Sequence, residues 1–199
     1  YYTMGGDGSD CSALGSACAH GMPMFSDSDT YGLTVKANYE LSQQDLMRVG
    51  VEYVRYRLDD YWKASGGMMM QPNTFKNINN GKRDRHALFS EWESQVTSQW
   101  TTLLGIRYER VASDTGDVQG YNDMDTMMMT SPTRVDVITF TAQEHKIDEN
   151  NIDLSALATY EHDETLDMTL GLARKVRSPN LYERYTWSSW QMAAIMNNF

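Results

Sequence analysis

The feature that most constrains this chain is a two-residue alternation of apolar and polar side chains that recurs six times, joined by connections that are in turn short, long, short, long and short. Period two sends successive side chains to opposite faces of a strand, so each segment reads as a strand with one apolar and one polar face. The first runs from about Thr30 to Leu41, with Tyr31, Leu33, Val35, Ala37, Tyr39 and Leu41 opposite Thr34, Lys36, Asn38 and Glu40. After the turn Ser42-Gln43-Gln44 the second runs from about Asp45 to Leu58, where Met47, Val49, Val51 and Tyr53 alternate with Arg48, Gly50 and Glu52 until Arg55 and Arg57 break the pattern. The third, about Arg85 to Val96, sets Leu88, Ser90 and Trp92 against Phe89, Glu91 and Glu93. Thr97-Ser98-Gln99 then leads into the clearest of them, with Trp100, Thr102, Leu104, Ile106 and Tyr108 on one face and Thr101, Leu103, Gly105, Arg107 and Glu109 on the other. The fifth places Ile152, Leu154, Ala156, Ala158 and Tyr160 on its apolar face, and the turn His162-Asp163-Glu164 reaches a sixth with Leu166, Met168, Leu170 and Leu172. The stretches from about Asp59 to Arg83 and from about Ala112 to Asp148 read as long polar loops.

Consecutive connections of an antiparallel up-and-down meander lie at opposite ends. All the tight turns therefore share one end and both long loops share the other, which is the layout of an outer-membrane β-barrel with its long loops extracellular. Tyr31, Tyr53, Trp100, Tyr108 and Tyr160 stand near strand ends, where aromatic girdles mark the two membrane surfaces. A mean hydropathy of −0.56 suits walls with only one apolar face. No stretch approaches the roughly 18 apolar residues of a membrane-spanning helix, which excludes a helical membrane protein. A soluble antiparallel barrel shares the alternation, but long strands joined by such long loops weigh against it. The smallest membrane barrels have about eight strands, so the reading is that residues 1–199 are part of a larger barrel whose remaining strands lie elsewhere. The opening Tyr1-Tyr2-Thr3-Met4-Gly5-Gly6 has neither the basic region nor the apolar stretch of a signal peptide. A net charge of −10 and a pI near 4.8 exclude nucleic acid as a partner and favour cations.

Methionine supplies the chemical signal. Of the 14 methionines only Met47 and Met168 fall inside the strands drawn above. The others are Met4, Met22 and Met24 before the first strand, Met68, Met69 and Met70 in the first long loop, Met124, Met127, Met128 and Met129 in the second, and Met192 and Met196 after the last strand. By the parity of the meander, every one of these segments lies on the extracellular side. Met also fills irregular packing gaps, yet these clusters are set among Asp and Gly rather than among other apolar residues. Thioether sulfur is a soft ligand suited to Cu(I), and it needs no deprotonation to bind. The N-terminal stretch adds Cys11, Cys18 and His20 to Met22 and Met24, a donor set that fits copper better than the oxygen-seeking calcium or magnesium. In an extended segment His20, Met22 and Met24 project to one side, which makes them the main candidate metal ligands, with Met68, Met69, Met70, Met124, Met127, Met128 and Met129 as weaker loop sites. Cys11 and Cys18 are open to a local disulfide or to ligation, while His86, His145 and His162 are isolated. No nucleophile elbow, phosphate loop or metalloprotease helix is present, so no catalytic residue is assigned and the chain is not read as an enzyme.

The stretch Leu172-Ala-Arg-Lys-Val-Arg-Ser-Pro-Asn-Leu-Tyr-Glu-Arg-Tyr185 resembles the late barrel of TonB-dependent receptors, and Leu103-Leu-Gly-Ile-Arg-Tyr-Glu-Arg-Val111 followed by Asp114-Thr-Gly116 is similar to another barrel strand of that family. The fuller form Arg177 to Ser188, with Met-rich loops and the His-x-Met element at His20 to Met22, resembles the copper receptors within it. The resemblance covers nearly the whole chain. It implies a bacterial outer-membrane barrel of about 22 strands, filled by a plug and energised through the TonB-ExbB-ExbD complex, with copper, Cu(I) favoured, as cargo and no organic cofactor. The copper receptors also use a Cys and Met pair of the plug that has no match here, and Cys11 and Cys18, which directly precede a barrel strand, are not that cysteine. A siderophore, haem or other organic ligand is the alternative cargo, for which Tyr61, Trp62, Arg83 and Arg85 are available. A passive porin or an adhesive barrel is the second alternative.

Overall fold

The computed structural model describes residues 2–4, 22–64, 73–121, 132–163 and 165–189. They form one antiparallel sheet in strict sequence order: β1 (Tyr2–Met4), β2 (Met22–Glu40), β3 (Asp45–Trp62), β4 (Phe75–Gln95), β5 (Trp100–Asp114), β6 (Ile147–Asp163) and β7 (Leu166–Arg174). A helix α1 (Pro132–Thr141) stands between β5 and β6, and a short helix α2 (Leu181–Tyr185) follows β7. The expected all-β up-and-down meander is present with its six long strands, to which β1 adds a three-residue edge.

The strands run further toward the loop end than the alternation indicates. β2 begins at Met22 and pairs with β3 as far as Met24 opposite Trp62. β4 begins at Phe75, so much of the expected loop from Asp59 to Arg83 is strand, and the expected loop from Ala112 to Asp148 contains the end of β5, all of α1 and the start of β6. Met4, Met22 and Met24 accordingly lie within β1 and β2 and not in a loop. Beyond the apolar zone both faces of these strands are polar or mixed, so the period-two signal disappears while the backbone pairing continues.

Local chemistry fixes the tight turns. Ser42 Oγ accepts the amide of Gln44 at 3.0 Å and donates to Asp45 Oδ2 at 2.7 Å. Thr97 Oγ1 accepts the amides of Gln99 and Trp100 at 3.2 and 3.1 Å, and Asp163 Oδ1 accepts from the amide and hydroxyl of Thr165 at 2.8 and 2.6 Å. Such side-chain-closed turns hold adjacent strands in register. At the loop end, register shifts around Asp60 and a left-handed Asn80, φ 58°, form a bulge whose Asn80 amide donates to Asp59 Oδ1 at 2.6 Å. Asn tolerates this conformation better than other non-glycine residues.

The two faces differ as the alternation requires. Leu33, Val35, Val51, Leu88, Leu104, Ile106, Leu154, Leu170 and Leu172 lie exposed on the outer face, up to 74 % for Leu172. Strand register aligns them into one belt: Val35 opposite Val51, Val51 opposite Leu88, Ile106 opposite Leu154, and Ala156 opposite Leu172. Apolar side chains left this open in a regular sheet are suited to lipid. The belt is bounded by Tyr39, Trp92, Trp100 and Tyr160 toward the turns and by Tyr31, Tyr53 and Tyr108 toward the loops. Trp100 and Tyr160 pack with ring centroids 4.9 Å apart.

Candidate functional site at the loop end of the wall

The inner face carries charge. Arg85 Nη2 lies 3.2 Å from Glu52 Oε1 and 3.0 Å from Glu109 Oε2, and Arg107 Nη2 lies 3.0 Å from Glu52 and 3.2 Å from Glu109. The four side chains close a ring across β3, β4 and β5 that cancels its own charge. Alternation puts all four on the side opposite the apolar belt, where an aqueous lumen solvates them. Phe89 covers Gly50 directly across the ladder, and Lys36 and Arg107 approach its ring at 5.8 and 5.9 Å.

The segment after β7 folds back over this face. Asn180 caps α2 by accepting the Glu183 amide at 2.8 Å, while Glu183 accepts the Asn180 amide at 2.8 Å, a reciprocal capping box. Arg177 grips the Glu183 carboxylate through both terminal nitrogens at 2.9 and 2.8 Å, and Arg184 pairs with Glu149 of β6. Asn151 donates to Ser178 Oγ at 2.8 Å, Tyr185 donates to the His145 carbonyl at 2.7 Å, and Arg83 reaches the Ser178 carbonyl at 3.4 Å. The Arg177–Tyr185 stretch is therefore a strap that ties β4 and β6 together across the inner face. Arg184 holds the Glu149 carboxyl below its ordinary range, and Arg177 does the same for Glu183.

Above the strap lies the main apolar cluster of the described residues: Leu58, Trp62, Phe75, Ile78, Val118, Tyr121, Phe140, Leu181, Tyr185 and Trp187. Trp62 stacks on Phe75 at 4.4 Å, and Phe75 meets Trp187 at 4.9 Å and Tyr121 at 5.5 Å. Trp187 Nε1 donates to the Asn77 carbonyl at 3.1 Å. His145 bridges the cluster's edges, its ring nitrogens 3.2 and 2.8 Å from the carbonyl oxygens of Thr115 and Phe140. Burial pushes Tyr185 up to about 12 and raises Asp60, although Asn77 Nδ2 donates to the Asp60 carboxylate at 2.6 Å.

The expected metal ligands divide into two groups. His20, Met68, Met69, Met70, Met124, Met127, Met128 and Met129 lie outside the described residues, as do Cys11 and Cys18. Met22 is placed in β2, opposite Met4 of β1, and Met24 lies opposite both Tyr2 and Trp62. The Met24 side chain is partly buried against the aromatic cluster. Among the described residues no group of three or more His, Cys, Asp or Glu side chains is placed to hold a metal ion. Two of the residues expected to serve an organic ligand are otherwise occupied: Trp62 is 0 % exposed within the cluster, and Arg85 belongs to the charge ring. Sequence reasoning missed the cluster and the strap's helix. The Asn180-x-x-Glu183 spacing was the available signal for the helix.

The cluster borders every Met-rich stretch. Trp62 and Phe75 stand on either side of residues 65–72, Tyr121 and Phe140 flank 122–131, Trp187 precedes 190–199, and Met24 itself packs here.

A wall with a lipid-facing belt between two aromatic girdles, a charged inner face, short turns at one end and long connections at the other defines an integral outer-membrane β-barrel protein. No helix among the described residues is long and apolar enough to cross a membrane, and the crossing is made by strands. The family model for the TonB dependent receptor-like β-barrel matches residues 2–198, and the chain belongs to that family. Its members are transporters of the outer membrane, coupled to TonB. No curated protein and no solved structure gives a match to the chain.

Proposed function

We propose that this chain forms part of the wall and extracellular rim of a receptor that captures copper, Cu(I) in preference, and imports it across the outer membrane. The observation that carries the reading is the aromatic cluster at the loop end of the sheet: Met24 packs against it, and its members nearest in the chain to residues 65–72, 122–131 and 190–199 are Trp62, Phe75, Tyr121, Phe140 and Trp187. The thioethers of Met68 to Met70, Met124 to Met129, Met192 and Met196, carried by those three segments, offer a soft ion a succession of weak sites in this reading. His20 and Met22, with Met24, supply the tighter site, completed by ligands from the plug that fills the barrel. The remaining strands come from the rest of the receptor, since β1 and β7 are the two open edges of this sheet. Release follows when the TonB-ExbB-ExbD complex pulls on the plug. The burial of Trp62 and the pairing of Arg85 favour this cargo over a siderophore or haem, because neither side chain is free to grip an organic ligand.

The test is titration of the full receptor with Ag(I), a redox-inert stand-in for Cu(I), beside Zn(II) and Mg(II). Saturable Ag(I) binding that weakens by roughly tenfold or more in the His20→Ala/Met22→Ala variant is expected. Equal Ag(I) uptake by wild type and variant removes the tight site from the reading, and preference for Zn(II) or Mg(II) removes the soft-metal cargo.

A further inference from the structure

At the edge of the loop-end cluster stands one ring whose hydrogen-bond partners do not match its neutral form. His145 lies just ahead of β6, and both of its ring nitrogens meet carbonyl oxygens: Nδ1 is 3.2 Å from that of Thr115, and Nε2 is 2.8 Å from that of Phe140. A carbonyl oxygen only accepts. Neutral imidazole carries one N–H and one lone pair, so it satisfies one of these contacts and turns a lone pair toward the other oxygen. The doubly protonated ring donates to both.

Two further features favour the charged ring. Phe140 lies in the last turn of α1, where its carbonyl also receives the Gln143 amide at 2.9 Å, and the partial negative charge at a helix C-terminus attracts a cation. The Phe140 ring stacks on the imidazole with centroids 4.3 Å apart and planes 26° from parallel, and an aromatic face attracts positive charge. Carboxylates of the surrounding elements are engaged elsewhere. Asp114 of β5 accepts the Thr115 amide, Asp136 of α1 holds the amide and hydroxyl of Ser189, Asp148 of β6 pairs with Arg110, and Glu149 pairs with Arg184 of α2. Tyr185 of α2 donates its hydroxyl to the His145 carbonyl rather than to the ring. Glu144 and Lys146 flank His145 in the chain, Asp117 follows Thr115, and Arg134 stands in the first turn of α1. Among the described residues the His145 ring makes no ion pair, and its hydrogen-bond partners are the two carbonyls.

We propose that His145 is a proton-dependent clamp on the connection between β5 and β6, closed by the imidazolium through the carbonyls of Thr115 and Phe140 and loosened when the ring loses a proton. Thr115 directly follows β5 and His145 directly precedes the start of β6, so the ring joins the two ends of that connection and ties the C-terminus of α1 to them. The same connection carries Met124 to Met129. Acid supplies the second N–H. The clamp is therefore complete toward acid and loses one charge-assisted bond as pH rises through the imidazole range, roughly pH 5 to 8. The strap carboxylates Glu149 and Glu183 titrate below this range, so the two effects are separable.

Amide hydrogen exchange of the full receptor, divided by the intrinsic rate at each pH and read by mass spectrometry from roughly pH 8 to pH 5, tests this. Peptides covering 115–121 and 138–145 are expected to gain about tenfold in protection toward acid, the factor for one charge-assisted hydrogen bond, while peptides of the lipid-facing belt stay level. His145→Gln keeps a donor but has no titrating ring, and its profile should be flat over the same range. A flat wild-type profile, or protection lost toward acid, overturns the proposal without reliance on any variant. An unchanged acid gain in His145→Gln assigns the effect to another group and overturns it as well. Should the glutamine variant lose its heat-modifiable electrophoretic mobility, His145→Phe, which keeps the stacking on Phe140, gives the same reading.

Discussion

The amide of Asn73 donates to the carbonyl of Tyr121 at 3.0 Å, and the next contact along, Lys76 amide to Gln119 carbonyl at 2.7 Å, continues the pairing. These bonds join Asn73, which follows residues 65–72 in the chain, to Tyr121, which precedes residues 122–131; the two segments carry Met68 to Met70 and Met124 to Met129. Replacing Met68, Met69 and Met70 by Leu preserves apolar bulk but removes three thioethers. The variant is expected to lose part of the weak Ag(I) capacity and to keep the tight site, as read by stoichiometry and affinity in one titration. Loss of the tight site alone would contradict the division of roles between loops and the His20–Met22 element.

The aromatic cluster makes the rim a unit. Trp187 reaches it from beyond α2, stacking on Phe75 and donating to the Asn77 carbonyl. Trp187→Ala deletes both contacts and leaves a cavity between strap and strands, at a cost of about 3 kcal/mol. Hydrogen exchange is expected to quicken in residues 75–78, 118–121 and 181–187 together, while the amides of the lipid-facing belt keep their protection. Trp187→Phe should recover most of the packing and little of the bond to Asn77.

Much of this architecture was legible in the sequence, and the illegible parts share a cause. Between the girdles, lipid on one side and an aqueous interior on the other force strict alternation, so Leu33 to Tyr39 or Leu104 to Tyr108 announce both strand and face. Above the girdles that constraint lapses. Asp27, Asp29, Asp59, Lys82 and Asp84 occupy outward positions there, and the paired strands carrying them read as loop. In α1, Val135 and Ile138 stay half exposed while Val137 and Phe140 pack inward, so no clean apolar stripe marks the helix. The clustering of methionine was visible from residue order alone. The aromatic cluster was not, because Trp62, Phe75, Tyr121 and Trp187 come from four separate segments that meet only once the strands are paired.

Acid should loosen the strap. Arg184 depresses Glu149 and Arg177 depresses Glu183, so each carboxylate binds its proton less readily in the folded state than in the unfolded chain, whose value is near 4.5. Stability from these pairs is fully present above that value and is lost as pH falls through the lower folded values. Asp60 acts in the opposite sense. Its buried carboxyl has a raised folded value, so its contribution to stability declines as pH rises from the unfolded value of 3.8 through the folded one. Exchange of the 181–187 amides measured from neutral to pH 3, divided by the intrinsic exchange rate at each pH, should therefore accelerate in acid. Arg184→Gln should flatten much of that profile, whereas Asp60→Asn should leave the acid acceleration of the strap in place.

The charge ring offers a test of coupling across the inner face. Removing Arg107 alone leaves Glu52 and Glu109 with only Arg85 between them, and removing Glu52 alone leaves the two arginines facing one carboxylate. These side chains are partly solvated, so each single truncation is expected to cost only about 1 to 2 kcal/mol, below the range for fully buried pairs. Arg107→Ala/Glu52→Ala should cost less than the sum of the single losses, with a coupling near 1 kcal/mol in urea unfolding. Strict additivity would mean that the lumen solvates the four groups independently.

Gly50 marks a close approach between strands of the wall. A Cβ there would stand 2.3 Å from Phe89 Cζ and 2.8 Å from the Val35 carbonyl, so Phe89 can lie flat across the ladder only because position 50 has no side chain. Gly50→Val is expected to destabilise the β2–β3–β4 unit by about 1 to 3 kcal/mol, the usual cost of forcing extra methyl groups into a filled space. Phe89→Ala in that background removes the aromatic clash but not the approach to the Val35 carbonyl, which is backbone and cannot swing aside. Partial recovery in the double variant, measured as the temperature at which heat-modifiable mobility is lost, is therefore the expected result. Full recovery would show that the ring alone sets the constraint, and no recovery would show that the backbone contact dominates.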